Sequence, residues 1–144
     1  MEHRVENLED LQAQAAALVA RLTPKTNGAT LVVLSGDLGA GKTTFVQAVA
    51  RALGVTEDVT SPTFVLQKIY PLTGSPFKRL IHMDAYRLEE SGALIPLGFD
   101  ETLEDPHTLI MLEWPENVAD ALPAPDVSIA LEALPDGTRA LTYA

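Results

Sequence analysis

Apolar residues recur along this chain at two spacings, and the switches between them predict its elements. From Asn7 to Leu22 the positions Leu8, Leu11, Ala15, Leu18, Val19 and Leu22 fall on one face at helical spacing, which predicts an amphipathic helix with those side chains buried. Asn7 is a good N-cap, and Asp10 three residues on completes a capping-box pattern. Pro24 to Gly28 reads as a loop. Thr30 to Ser35 (TLVVLS) is short, apolar and β-branched, the pattern of a buried strand. Helical spacing returns from Lys42 to Leu53 and stops at Gly54, a natural C-terminal cap. Thr56 to Thr63 is polar, contains a proline and reads as a loop.

Further on, strands dominate. Phe64 to Tyr70 and Arg79 to Met83 read as strands, and the turn formers Pro71 to Pro76 between them predict an antiparallel hairpin. Leu88 to Leu97 reads as a short helix or two turns, limited by Gly92 and Pro96. Thr108 to Leu112 (TLIML) is another buried strand. Val127 to Leu134 and Thr138 to Tyr143 flank Pro135-Asp136-Gly137 and predict a closing hairpin. The order predicts one α/β domain over residues 1–144. Its central sheet is expected to be partly parallel and flanked by helices, with antiparallel hairpins added.

Between the first strand and the second helix lies Gly36-Asp37-Leu38-Gly39-Ala40-Gly41-Lys42-Thr43, a complete G-x-x-x-x-G-K-[ST] loop, and with it the expected domain is like a phosphate-loop NTPase. Glycines let the backbone wrap a phosphate chain in conformations a Cβ forbids, so that successive N–H groups point inward. The helix that follows presents its N-terminus to the same anion. Leu38, Gly39, Ala40, Gly41, Lys42, Thr43 and Thr44 are therefore the expected nucleotide-binding residues. Lys42 is expected to reach the β- and γ-phosphates and Thr43 to ligate Mg²⁺. A dinucleotide site fits worse, because the glycines do not fall as G-x-G-x-x-G.

Composition then narrows the partners. Ten Lys and Arg against twenty Asp and Glu leave a net charge of −10, which argues against autonomous binding to a polyanion and suits docking onto a protein. Cysteine is absent, so disulfides, thiolate catalysis and cysteine-held zinc are excluded. No apolar run approaches the about 20 residues that span a bilayer, and the acidic start lacks the pattern of a secretion signal, so a cytoplasmic protein is expected.

A phosphate loop needs an acidic partner for Mg²⁺, usually at the exit of a neighbouring buried strand. Glu113 after TLIML and Asp84 after RLIHM both qualify. His82 shares a strand face with Asp84 and is read either as a structural histidine or as a group that orients water or holds the Asp84 carboxylate. Arg87 pairs with an acid or approaches phosphate, and Trp114, the single tryptophan, is read as core or interface. Thr60 to Thr63 occupies the interval where phosphate-loop switch proteins order a segment on the γ-phosphate. No N-K-x-D element is present, which favours ATP over GTP.

Taken together, GDLGAGKTTF (36–45), SPTF (61–64), HMDAYRL (82–88) and LEWPE (112–116) resemble the TsaE family, also called YjeE, in order and spacing. The resemblance runs from about Thr30 to Asn117. It implies a small ATPase of tRNA threonylcarbamoyladenosine synthesis, acting with TsaB and TsaD and meeting tRNA only through those partners. It implies further that Gly39 to Thr44 cradle the triphosphate, that Thr43 and Glu113 hold Mg²⁺, and that Asp84 is catalytic or positions water. Thr63 would sit in a switch-like loop and Trp114 in a second mobile segment. Residues near the N-terminal helix and the C-terminal hairpin, Arg139 among the latter, would approach the nucleotide. The expected catalytic set is thus Lys42, Asp84 and Glu113. The alternatives are a nucleotide-dependent binding switch with incidental hydrolysis and a small-molecule kinase, against which the lack of an arginine-rich lid counts.

Overall fold

The structure, a computed structural model, describes residues 2–37, 39–57, 59, 67–86, 88 and 91–143. In chain order the elements are β1 (Glu2–Val5), α1 (Leu8–Arg21), β2 (Thr30–Ser35), α2 (Lys42–Ala52), β3 (Gln67–Pro71), β4 (Arg79–Asp84), a 3₁₀ segment (Ser91–Leu97), α3 (Phe99–Leu103), β5 (Thr108–Glu113), a second 3₁₀ segment (Pro115–Ala121), β6 (Val127–Ala133) and β7 (Arg139–Tyr143). The strands form one seven-stranded sheet in the order β1-β7-β6-β2-β5-β4-β3. β2 lies parallel to β5 and β6, and β4 parallel to β5, while β3–β4, β6–β7 and β1–β7 are antiparallel. This is the expected partly parallel α/β sheet with antiparallel hairpins at both flanks.

β2 is apolar throughout because both of its faces are covered. Val32 and Leu34 join the core under α1 and α2, with Phe45, Val46, Val49 and Leu109. Leu31 and Val33 join the opposite core, with Met83, Phe99, Ile110 and Leu112. Strands buried on two faces read as continuous apolar runs, which is why TLVVLS and TLIML stand out in the sequence. Asn7 caps α1 as expected, accepting from the Asp10 N–H at 2.9 Å. The return bond differs from a capping box, since Asp10 Oδ2 accepts from the Glu6 N–H at 3.0 Å, one residue before the cap.

Three expectations need correcting. Leu8 is 57% exposed, because the first turn of α1 projects past the core and Leu8 borders a recess near Gly41 and Arg139. Of the short helix or two turns expected over Leu88 to Leu97, the described part is 3₁₀ rather than α, Ser91–Leu97 with Pro96 inside, and residues 89 and 90 lie outside the described residues. The N-terminal segment, read only as acidic, is the edge strand β1, registered from Glu2 opposite Thr142 to Val5 opposite Arg139. Of the strand expected over Phe64 to Tyr70, residues 64–66 lie outside the described residues.

The topology sets the site. Leu34 pairs with Glu113, and Glu113 with Asp84, so the carboxyl ends of β2, β5 and β4 finish in one row. Ligands of open α/β sheets bind outside that edge.

Candidate active site

The loop leaves β2 through Gly36 at φ +141°, where a Cβ would stand 2.2 Å from the Leu131 carbonyl oxygen of β6. Only glycine passes so close to a neighbouring strand. Gly41 is the N-cap of α2 at φ +105°, ψ 15°, and among the described residues no side chain caps that helix. The first-turn amides of α2 therefore face the loop without a side-chain acceptor, the arrangement that receives an anion.

Lys42 is 5% exposed. Its Nζ donates to the Gly36 carbonyl at 2.5 Å and the Asp37 carbonyl at 3.0 Å, and sits 4.2 Å above the Trp114 ring. The ammonium is thus held across the mouth of the loop by its own backbone and one aromatic face. Thr43, one residue on, turns the other way. Its hydroxyl lies 2.9 Å and 3.1 Å from Glu113 Oε2 and Oε1. Glu113 is 2% exposed, and its Oε2 is also 2.5 Å from His82 Nε2, which is wholly buried. Thr43, Glu113 and His82 form a chain running from the helix N-terminus into the core.

Asp84 ends β4 in register with Glu113, and its Oδ1 accepts from the Tyr86 N–H at 2.9 Å. Just past β5, Trp114 adopts left-handed φ 62°, ψ 52°, a conformation that is costly for a bulky residue. Its N–H donates to the Leu34 carbonyl, and its ring lies 5.0 Å from that of Tyr86. Arg139 arrives from β7. Its Nε donates to the Ala40 carbonyl at 3.1 Å, with Nη2 3.5 Å from the Gly39 carbonyl.

These groups line one cleft of about 400 Å³, bounded by Gly39, Gly41, Lys42, Thr43, Thr44, Asp84, Tyr86, Glu113, Trp114 and Arg139. A second recess, about 220 Å³ and bordered by Val5, Leu8, Leu11 and Ala40, shares Gly41 and Arg139 with it. Of the residues expected from sequence, Gly39, Gly41, Lys42, Thr43, Thr44, Asp84 and Glu113 come together in the main cleft, and Ala40 borders the recess. Leu38, Arg87 and Thr60 to Thr63 lie outside the described residues. Tyr86 was not anticipated, and the place of Arg139 came only from resemblance. The bond from Arg139 to Ala40 spans 99 positions, so no local pattern announces it.

The donor set fits Mg²⁺. A hydroxyl and a buried carboxylate are hard oxygen ligands beside an anion-binding helix end. Among the described residues no group of three or more His, Cys, Asp or Glu is arranged to cage a metal. Mg²⁺ needs no such cage, because it keeps waters and shares phosphate oxygens with its nucleotide.

The chain is also similar to known proteins. The chain is 42% identical over 117 residues to the tRNA threonylcarbamoyladenosine biosynthesis protein TsaE of Treponema pallidum (strain Nichols), covering 80% of this chain and 82% of that protein. Against the protein of the same name from Bacillus subtilis (strain 168) it is 35% identical over 140 residues, covering 97% and 82%. A crystal structure of Bacillus subtilis YdiB superposes with a TM-score of 0.79 at 30% identity, covering 99% of this chain and 83% of that one. The family model described as threonylcarbamoyl adenosine biosynthesis protein TsaE matches residues 5–141, and the chain belongs to that family, in tRNA threonylcarbamoyladenosine biosynthesis.

Proposed function

We propose that the chain is a Mg²⁺-dependent subunit that binds and hydrolyses ATP in the tRNA threonylcarbamoyladenosine machinery, acting in the cytoplasm on a TsaB–TsaD pair. One observation carries this reading. The uncapped N-terminus of α2, the Lys42 ammonium and the Thr43–Glu113 pair converge on a single cleft. Each part has its counterpart in phosphoryl transfer. Loop amides and Lys42 take the charge of the β- and γ-phosphates, and Thr43 and Glu113 hold the metal. Bound Mg²⁺ supplies neutralisation of the charge shared by those phosphates. Asp84 positions the attacking water. With ten cationic side chains against twenty acids, tRNA is met through the partners.

The test is ATP hydrolysis by the purified protein, with Mg²⁺ or EDTA, alone and with TsaB–TsaD. Metal-dependent turnover raised by the pair is expected. Turnover that ignores the pair would remove the partner assignment, and no turnover under any condition would remove the hydrolase.

A second reading, a nucleotide-dependent binding switch, draws on Lys42 itself. Its ammonium is already seated on two carbonyls and the Trp114 ring, so phosphate must compete with a defined alternative state. If Glu113→Gln keeps partner binding and full biological function without hydrolysis, this reading replaces the first.

A further inference from the structure

We propose that His82 is a positioning residue for Glu113, fixing the carboxylate so that one chosen oxygen is presented to the divalent cation. The inference rests on the Mg²⁺–ATP reading of the same cleft.

His82 lies in β4 with no exposure, opposite Met111 of the fully buried β5. Its neighbours along the strand, Leu80, Ile81 and Met83, are buried apolar residues. Packing alone would favour another such side chain here. The imidazole is only half satisfied, because Nδ1 is buried with no hydrogen-bond partner among the described residues. An unpartnered buried nitrogen costs stability, so what the ring adds at this position lies at Nε2.

Nε2 is 2.5 Å from Glu113 Oε2, a contact that requires one hydrogen between the two atoms. With Glu113 ionised, as a metal ligand must be, the ring supplies that hydrogen and donates. Oε2 then accepts from His82 and from Thr43 at 2.9 Å, whereas among the described residues Oε1 has only the longer 3.1 Å contact to Thr43. Two donors on Oε2 fix the plane of the carboxylate. Oε1 keeps lone-pair capacity and would be the atom presented to the cation or its water. Partners of this kind, one bond behind a metal ligand, set ligand orientation and typically change metal affinity about 10–100-fold when removed.

The experiment measures binding of a non-hydrolysable ATP analogue by calorimetry, in Mn²⁺ and in EDTA, for the whole chain. The ratio of the two affinities is the metal-linked gain. His82→Leu is expected to lose about 10–100-fold of that gain while binding in EDTA stays within about twofold of the original chain. His82→Gln, whose amide nitrogen can occupy the place of Nε2, is expected to recover most of it. In a Glu113→Gln background His82→Leu should change nothing further. If His82→Leu does not fold, the comparison of His82→Gln with His82→Met decides in the same way, with Met expected to lose the gain. An unchanged gain in His82→Leu or His82→Met, or equal loss in EDTA and Mn²⁺, would overturn the proposal. A chain with no metal-linked gain before any substitution would instead overturn the Mg²⁺–ATP reading on which it stands.

Discussion

The paired strands β4 and β5 carry a polar cluster at each end, and the two clusters are built on opposite terms. At the entry end Arg79 is registered opposite Thr108 and donates to its hydroxyl at 2.8 Å. The same guanidinium pairs with Asp105, whose other oxygen accepts from the His107 N–H at 2.9 Å. Charge and hydrogen bonds close on themselves, half in solvent. At the exit end Asp84 is registered opposite Glu113, acid beside acid. Glu113 is buried on a hydroxyl and an imidazole, while the nearby Lys42 ammonium is given to loop carbonyls. The first cluster is complete as it stands. The second holds a buried carboxyl group with an under-used oxygen beside a helix N-terminus, and a cation with phosphate would complete it. The difference teaches that the sign and closure of a polar cluster, more than its residue types, separate structural from chemical use.

The largest effect should come from Lys42→Ala. Removing a preorganised charge from phosphoryl transfer is expected to lower ATP turnover more than about a hundredfold, read by phosphate release. Near-normal turnover would dissolve the contrast, because the exit end would then be no more chemical than the entry end. Next, Glu113→Gln keeps shape and one acceptor oxygen but removes the charge. Turnover should fall by about 10²-fold, and chemical denaturation should show a stability change below about 1.5 kcal/mol. A large loss of stability with little loss of turnover would mean that this carboxylate, too, is structural.

Asp105→Asn probes the other end and should do the reverse. The pair is partly exposed, with Arg79 at 41% and Asp105 at 31%, so the loss should be about 0.2–1 kcal/mol. Turnover should stay within about twofold, and a larger drop would show that the two ends are coupled. Smallest is a pH effect. The backbone N–H of His107, and after it the Arg79 guanidinium, holds the Asp105 carboxyl below its usual range. Its contribution is therefore fully present above about pH 4, the usual unfolded value, and is lost as pH falls through the lower folded one. Denaturation midpoints of the original chain and Asp105→Asn should differ by a constant amount down to about pH 4 and converge below it. A difference that grows on acidification would refute the assignment.

Much of the site is legible in the sequence, for a reason visible in its parts. Gly36, Gly41, Lys42 and Thr43 act within a few residues of one another, so their spacing is their geometry. Asp84 and Glu113 are legible because each ends an apolar run that forms a buried strand. His82 was read beside Asp84, its neighbour along the strand, yet its bond goes across to Glu113 on β5. Register between strands determines that contact, and register is not written in either strand alone. β1 escaped notice because four edge residues lack an apolar rhythm and gain their pairing from β7 at the far end of the chain.

By itself, then, the amino-acid order determined the phosphate loop, the helices and apolar strands around it, and the two acids at strand ends. Each of these follows from local spacing and the burial it demands. Tertiary structure alone decided that Lys42 rests on the Trp114 ring, that Arg139 reaches the loop from β7, and that His82 and Thr43 share one carboxylate. Those contacts join positions from 31 to 100 residues apart, and only the assembled sheet brings them together.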